Sequence, residues 1–161
     1  MTHVPRSTLH DPRSTIHVPV IIGLGTDTAG DDAAGLLVAR RLRELGVEAQ
    51  EYSGEVLGLL DLWEGADSVT LIDAMRSGRP PGSVRVFDAR QSPAASEAFP
   101  ISTHGLGLFD ALALAQELGR LPRRVVIYGI EGRNFEPGSE MSPEVGAAVE
   151  EVVRHIVAGA N

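Results

Sequence analysis

The sequence predicts an α/β fold, a three-layer sandwich with a largely parallel, roughly five-stranded central sheet flanked by helices. Three observations predict it. Short apolar runs of strand length recur at residues 20–24, 68–73, 84–87 and 124–130, with a weaker one at 47–52. Segments with apolar residues at helical spacing fall between and after them, at 33–45, 56–63, 105–119 and 142–157. Alternation of the two kinds at this spacing marks βα units on a parallel sheet. The third observation is size: 161 residues suit one domain, which at this length buries roughly 68–70% of the surface its unfolded chain exposes.

The elements follow in order. His3, His10 and His17 recur in a tandem repeat, Arg6-Ser-Thr-Leu-His-Asp-Pro12 followed by Arg13-Ser-Thr-Ile-His-Val-Pro19. A proline every seventh residue blocks a regular helix, and the repeat has no apolar face to bury. Residues 1–18 are therefore expected to be a disordered tail, with a metal-collecting tail as the alternative, and residues 19–161 a single α/β domain. Val20 to Leu24 is a buried strand running into a Gly- and Asp-rich turn. The helix at 33–45 places Leu36, Leu37, Leu42 and Leu45 mainly on one side and stops at Gly46. The strand at 47–52 is edge-like, and the short helix at 56–63 covers it. The strand at 68–73 ends in an acid, Asp73. Arg79-Pro-Pro-Gly82 is turn chemistry, 84–87 a further strand, and 91–101 a loop rich in Ser, Ala and Pro. The helix at 105–119 precedes the buried strand at 124–130. Ser142-Pro143-Glu144 supplies an N-cap, a proline at the first helical position and an early acid for the last helix.

Composition excludes several classes. Cysteine is absent and all 14 basic residues are arginine, which removes thiolate nucleophiles, zinc–thiolate sites, Schiff-base lysines and a phosphate-loop lysine. A net charge of −8 disfavours a nucleic-acid partner. No apolar run reaches the roughly 18–20 residues of a membrane span, and the polar N-terminus has no signal core. A cytoplasmic protein without membrane insertion is expected. No Gly-x-Ser-x-Gly elbow and no His-Glu-x-x-His occurs.

What remains is a convergence of potential metal ligands. In parallel sheets ligands sit beyond the carboxyl ends of the strands. Asp32 follows the first strand, Asp73 ends a second, and His104 opens a helix. Each alone reads equally well as a cap or turn former. Together, two carboxylates and an imidazole make a divalent-metal site with open positions. The glycine turn 23–30 departs from the dinucleotide fingerprint, because Thr28 stands where the third glycine belongs. Asp31 reads as a catalytic base or as a helix cap, and late in the last helix His155 reads as a favourable partner of the helix dipole.

At this point several blocks resemble one family, in order and over about residues 20–157. Ile21-Ile-Gly-Leu-Gly25 with Gly30-Asp-Asp32 resembles the N-terminal signature of the hydrogenase maturation endopeptidases. Leu71-Ile-Asp-Ala-Met75 with Pro81-Gly-Ser-Val-Arg-Val86 is similar to its second block, and Ser102-Thr-His-Gly-Leu-Gly-Leu108 to its third. Residues 125–131 and Met141-Ser-Pro-Glu-Val145 fit the C-terminal part. The resemblance implies an aspartyl-type endopeptidase of peptidase family M52. Such an enzyme removes the C-terminal extension from the large-subunit precursor of nickel–iron hydrogenase after nickel insertion. It implies that Asp32, Asp73 and His104 are the metal-binding and catalytic residues. They recognise nickel carried by the substrate, with no organic cofactor, and the enzyme is expected to be a monomer. The metal polarises the scissile carbonyl or activates water, with a carboxylate as base. Two departures stand out: Thr26 follows Gly25 where the family commonly has Asn, and Asp32 stands where some members have Glu. Two other readings use the same residues. One is a metal-sensing protein that docks on the precursor without cutting it. The other is a same-fold peptidase with another protein substrate, such as a spore protein.

Overall fold

The computed structural model describes residues 19–90 and 107–160. The N-terminal repeat, the loop expected at 91–101, His104 and the expected start of the third helix at 105 lie outside the described residues. Five strands form one sheet: β1 (Val20–Leu24), β2 (Gln50–Tyr52), β3 (Ser68–Met75), β4 (Val84–Asp88) and β5 (Arg124–Glu131). Their order is β2-β1-β3-β5-β4. All pairs are parallel except β4 with β5, which is antiparallel. The sheet is thus mixed and mostly parallel.

Helices α1 (Ala34–Glu44), α2 (Leu59–Leu62), α3 (Leu108–Glu117) and α4 (Pro143–Gly159) cover it. Side-chain alternation along the strands divides the core into two layers. Ile22, Val69, Leu71 and Ile127 point to one face, where Leu59, Leu60, Trp63, Leu108 and Leu112 from α2 and α3 bury them. Ile21, Ile72, Tyr128 and Ile130 point to the other, under Val38 and Leu42 of α1 and Val145, Val149 and Val152 of α4. Both faces being covered explains why the central strands read as continuous apolar runs. Burial of each large aliphatic side chain contributes about 1.5–3 kcal/mol.

Element boundaries shifted where tertiary contacts outweigh local pattern. The edge strand β2 is only three residues long. The expected helix at 56–63 divides into a 3-10 turn, Val56–Gly58, and the single turn of α2. Helix α1 ends as expected at Gly46, whose φ of 81° few other residues adopt. Strand β3 does not end at Asp73 but continues to Met75, paired throughout with β5. Among the described residues, no helix is long and apolar enough to cross a membrane.

Candidate active site

The strand order places β2 on one side of β1 and β3 on the other. The chain therefore leaves β1 in both directions, and a crevice opens beyond the carboxyl ends of β1 and β3. Two acids stand there. Asp32 lies in the 3-10 turn Gly30–Ala33 that joins β1 to α1. Asp73 lies in β3, one residue past the last β1–β3 pair, Gly23 with Ile72, and its remaining backbone neighbour is Gly129 of β5.

The sequence brings the two together by letting backbone lie against backbone. A β-carbon on Gly23 would fall 1.9 Å from the carbonyl oxygen of Gly35, so glycine there lets α1 sit directly on β1. The turn ahead of Asp32 is anchored from the side by Arg40. Its guanidinium donates to both carboxylate oxygens of Asp27, at 2.9 and 2.6 Å, and also to Glu51 of β2.

Asp32 and Asp73 are both half-buried. Burial, and next the negative charge of Asp32, push the Asp73 carboxyl up to about 7, against a backbone hydrogen bond from Ala74 that favours the anion. Two carboxylates sharing one crevice raise the cost of ionising both, so a proton is held near neutrality. The pair offers hard oxygen donors suited to a divalent ion. Among the described residues no cluster of three His, Asp or Glu is placed to hold a metal; the expected third ligand, His104, lies outside them. Helix α3, which follows it, opens at the same end of the sheet as Asp73. The far end of α3 leads to Arg120, whose carbonyl accepts from Trp63 Nε1 at 3.1 Å, and then to Arg124, paired with Ser68 at the start of β3.

Asp31, adjacent in sequence, has a different environment. Its side chain is fully buried. Its carboxylate accepts hydrogen bonds from Arg133 N (2.7 Å), Asn134 N (2.9 Å), Ser142 N (2.6 Å) and Ser142 Oγ (2.8 Å). Burial alone would raise its pKa, but the bonds from Asn134, Arg133 and Ser142 outweigh it and hold the group below the usual range. The reading of Asp31 as a base or helix cap is thereby corrected: it clamps the loop that returns from β5. Ser142 stands at the N-cap of α4 as expected, yet its hydroxyl serves Asp31 instead of the helix.

Glu131 at the end of β5 does the same for the opposite loop. It is 2% exposed and accepts from Ser77 N, Ser77 Oγ (2.6 Å) and Gly78 N (3.0 Å). Sequence reasoning passed over it, although an acid closing a buried apolar strand is a signal that it must have buried partners. Two loops, each pinned from below by a saturated carboxylate, thus flank the acid pair.

A family profile for hydrogenase maturation proteases matches residues 55–159. The chain belongs to the hydrogenase maturation protease family. The matched span contains Asp73, Glu131 and the loop around Ser142, and begins after Asp32. Hydrogenase 2 maturation protease of Escherichia coli (strain K12) is 25% identical over 145 residues, which is 86% of this chain and 88% of its own. Among solved structures, [NiFe] hydrogenase maturation protease HybD from Thermococcus kodakarensis superposes with a TM-score of 0.74 at 31% identity, covering 88% of this chain and 98% of that one. Hydrogenase maturating endopeptidase HybD from E. coli gives 0.72 at 25% identity, covering 87% and 90%. This maturation protease is therefore a peptidase on a mostly parallel α/β sheet, and the Asp32–Asp73 crevice is its candidate active site.

Proposed function

We propose that this maturation protease removes the C-terminal extension of a nickel–iron hydrogenase large-subunit precursor after nickel insertion, using nickel held by the substrate as its recognition element. The observation that carries the reading is the pairing of Asp32 with Asp73 at the switch point, with Asp73 pushed up to about 7. A group that exchanges its proton near neutral pH suits acid–base work on a peptide bond. Asp73 takes a proton from the attacking water and returns it to the leaving amine. The charge of Asp32 keeps that proton in the crevice.

The same oxygen pair accounts for the choice of substrate. An open, thiolate-free set of donors adds to a metal that the precursor already holds, and a bound divalent ion supplies polarisation of a carbonyl beside it. Asp32, Asp73 and, outside the described residues, His104 are the proposed ligands. In this reading the enzyme acts as a monomer in the cytoplasm on a transiently docked precursor.

The test is incubation of the purified protein with nickel-loaded and with empty precursor, read by intact mass spectrometry. Expected is loss of one C-terminal peptide from the loaded form alone, and loss of at least ~100-fold in rate for Asp73→Asn. Tight binding without any shortening would identify a docking protein. Cleavage of an unrelated protein instead would identify a different peptidase.

A further inference from the structure

The two pinned loops, which follow β3 and β5, meet in one contact. The guanidinium of Arg76, three residues beyond Asp73, lies 4.4 Å from the centre of the Phe135 ring. Both partners are held from their own side. Ser77 and Gly78, immediately after Arg76, donate to buried Glu131. Arg133 and Asn134, immediately before Phe135, donate to buried Asp31. The ring in turn rests on Gly132, where a β-carbon would fall 2.5 Å from the ring edge and 3.0 Å from the Asp31 β-carbon. A continuous line of contacts therefore joins Arg76 to the turn that carries Asp32.

This arrangement leaves Arg76 with unused capacity. Arg40, Arg41, Arg43, Arg120 and Arg133 all form ion pairs with acids of this chain. Exposed Arg76 forms none among the described residues, and its guanidinium carbon sits over the Phe135 ring. A guanidinium held over a ring by its charge still has N–H donors to offer, and these can bind a carboxylate through two parallel bonds. A cation held three residues beyond Asp73, on a chain of net charge −8, creates a local site for an anionic group that the surrounding surface would repel.

We propose that Arg76, held by Phe135, is a specificity residue that binds a carboxylate of the substrate segment on the leaving side of the scissile bond. The inference rests on the C-terminal processing reading above, because a segment cut from a chain end carries a terminal carboxylate. Arg76 holds that segment in register and takes no part in the proton transfers at Asp73.

The test uses binding as well as cleavage, so that the two readings can fail separately. Fluorescently labelled peptides copying the C-terminal extension of the hydrogenase large subunit from the same organism are titrated as free acid and as C-terminal amide. Acidic side chains are replaced by their amides in a second pair. Expected is about tenfold weaker binding of the amidated peptide to the native protein, and no such difference for Arg76→Gln. Arg76→Lys recovers part of the affinity, Phe135→Leu weakens it, and in cleavage the Arg76→Gln defect falls on KM and leaves kcat within twofold. Equal binding of acid and amide forms by the native protein overturns the proposal, as does an Arg76→Gln defect confined to kcat. If the native protein binds the peptides with the expected discrimination yet cleaves no precursor, the processing reading fails and the carboxylate site stands.

Discussion

A β-carbon on Gly35 would lie 2.3 Å from the carbonyl oxygen of Ile72, the residue before Asp73. It would also lie 2.3 Å from the carbonyl oxygen of Leu24 at the end of β1. The distance between the first turn of α1 and strand β3 is thus set by the absence of one methyl group. Since that turn directly follows Asp32, the same contact sets the spacing of the two site acids.

Gly35→Ala is predicted to destabilise the fold. Alanine would gain about 1 kcal/mol in helix propensity, but two fixed backbone carbonyls cannot give way, and overpacking of this kind costs about 3 kcal/mol or more. The net loss should lower Tm by roughly 4–8 °C for a chain of this size. As α1 lifts, Asp32 recedes and the Asp73 carboxyl should titrate closer to an ordinary aspartate. Carboxyl-carbon NMR of labelled protein reads that shift, and an unchanged Asp73 titration would mean that Gly35 does not set the pair.

Asp31→Asn tests the clamp. Asparagine keeps one acceptor oxygen but turns an amide NH₂ toward donors that the carboxylate satisfied, at a cost of about 3 kcal/mol. The sign of the pH dependence follows from the depressed pKa of Asp31. Its contribution is present above the unfolded value near 3.8 and is lost as pH falls through the lower folded value. Acid unfolding of the variant should therefore lose part of its steepness below pH 4, while at pH 7 the variant melts earlier. A variant with unchanged Tm at pH 7 would remove Asp31 from the structural role.

Asp73→Asn should act in the opposite direction. Burial, and next the charge of Asp32, push the folded Asp73 carboxyl up to about 7, well above an ordinary aspartate. Its protonated form favours the fold, so stability is full below about pH 4 and falls as pH rises through 7. At pH 8 the native protein bears the charge and the variant does not. The variant should then be more stable by on the order of 2 kcal/mol, or about 5 °C in Tm, although inactive. Near pH 4 the two melting curves should converge. A variant less stable than the native protein at pH 8 would contradict the raised titration.

The contrast between Asp31 and Asp73 also shows what the sequence could reveal. The five strands, the helices and the position of Asp73 beyond β1 follow from apolar runs, glycine stops and turn residues, all of them local signals. The division of labour between Asp31 and Asp32 does not. Adjacent acids on one turn look alike until a loop from the far end of the chain brings four donors to one of them. Likewise the extension of β3 past Asp73 depends on its pairing with β5, Met75 opposite Glu131, and no local pattern announces it. Arg76 and Phe135 come together only because Glu131 and Asp31 fix their loops.

The last prediction concerns nickel. Asp32 and Asp73 offer oxygen donors, the proposed third ligand His104 adds one imidazole nitrogen, and the chain has no cysteine to add a thiolate. Ligand chemistry for divalent nickel favours nitrogen and sulfur over such a pair. Ionising both carboxylates is opposed by the raised Asp73, so protons compete with any cation below about pH 7. The free protein should therefore bind nickel weakly, with Kd above about 10 μM, and more weakly still at pH 6 than at pH 8. A checkpoint needs that weakness. An enzyme that held nickel tightly by itself would treat loaded and empty precursor alike, because a ligand bound equally in both cases shifts nothing. Calorimetric titration of nickel into the free protein at pH 6 and 8, followed by cleavage assays on both precursors, decides the matter. Submicromolar binding by the free protein together with equal cleavage of the two precursors would make the metal the enzyme's own and remove it from substrate recognition.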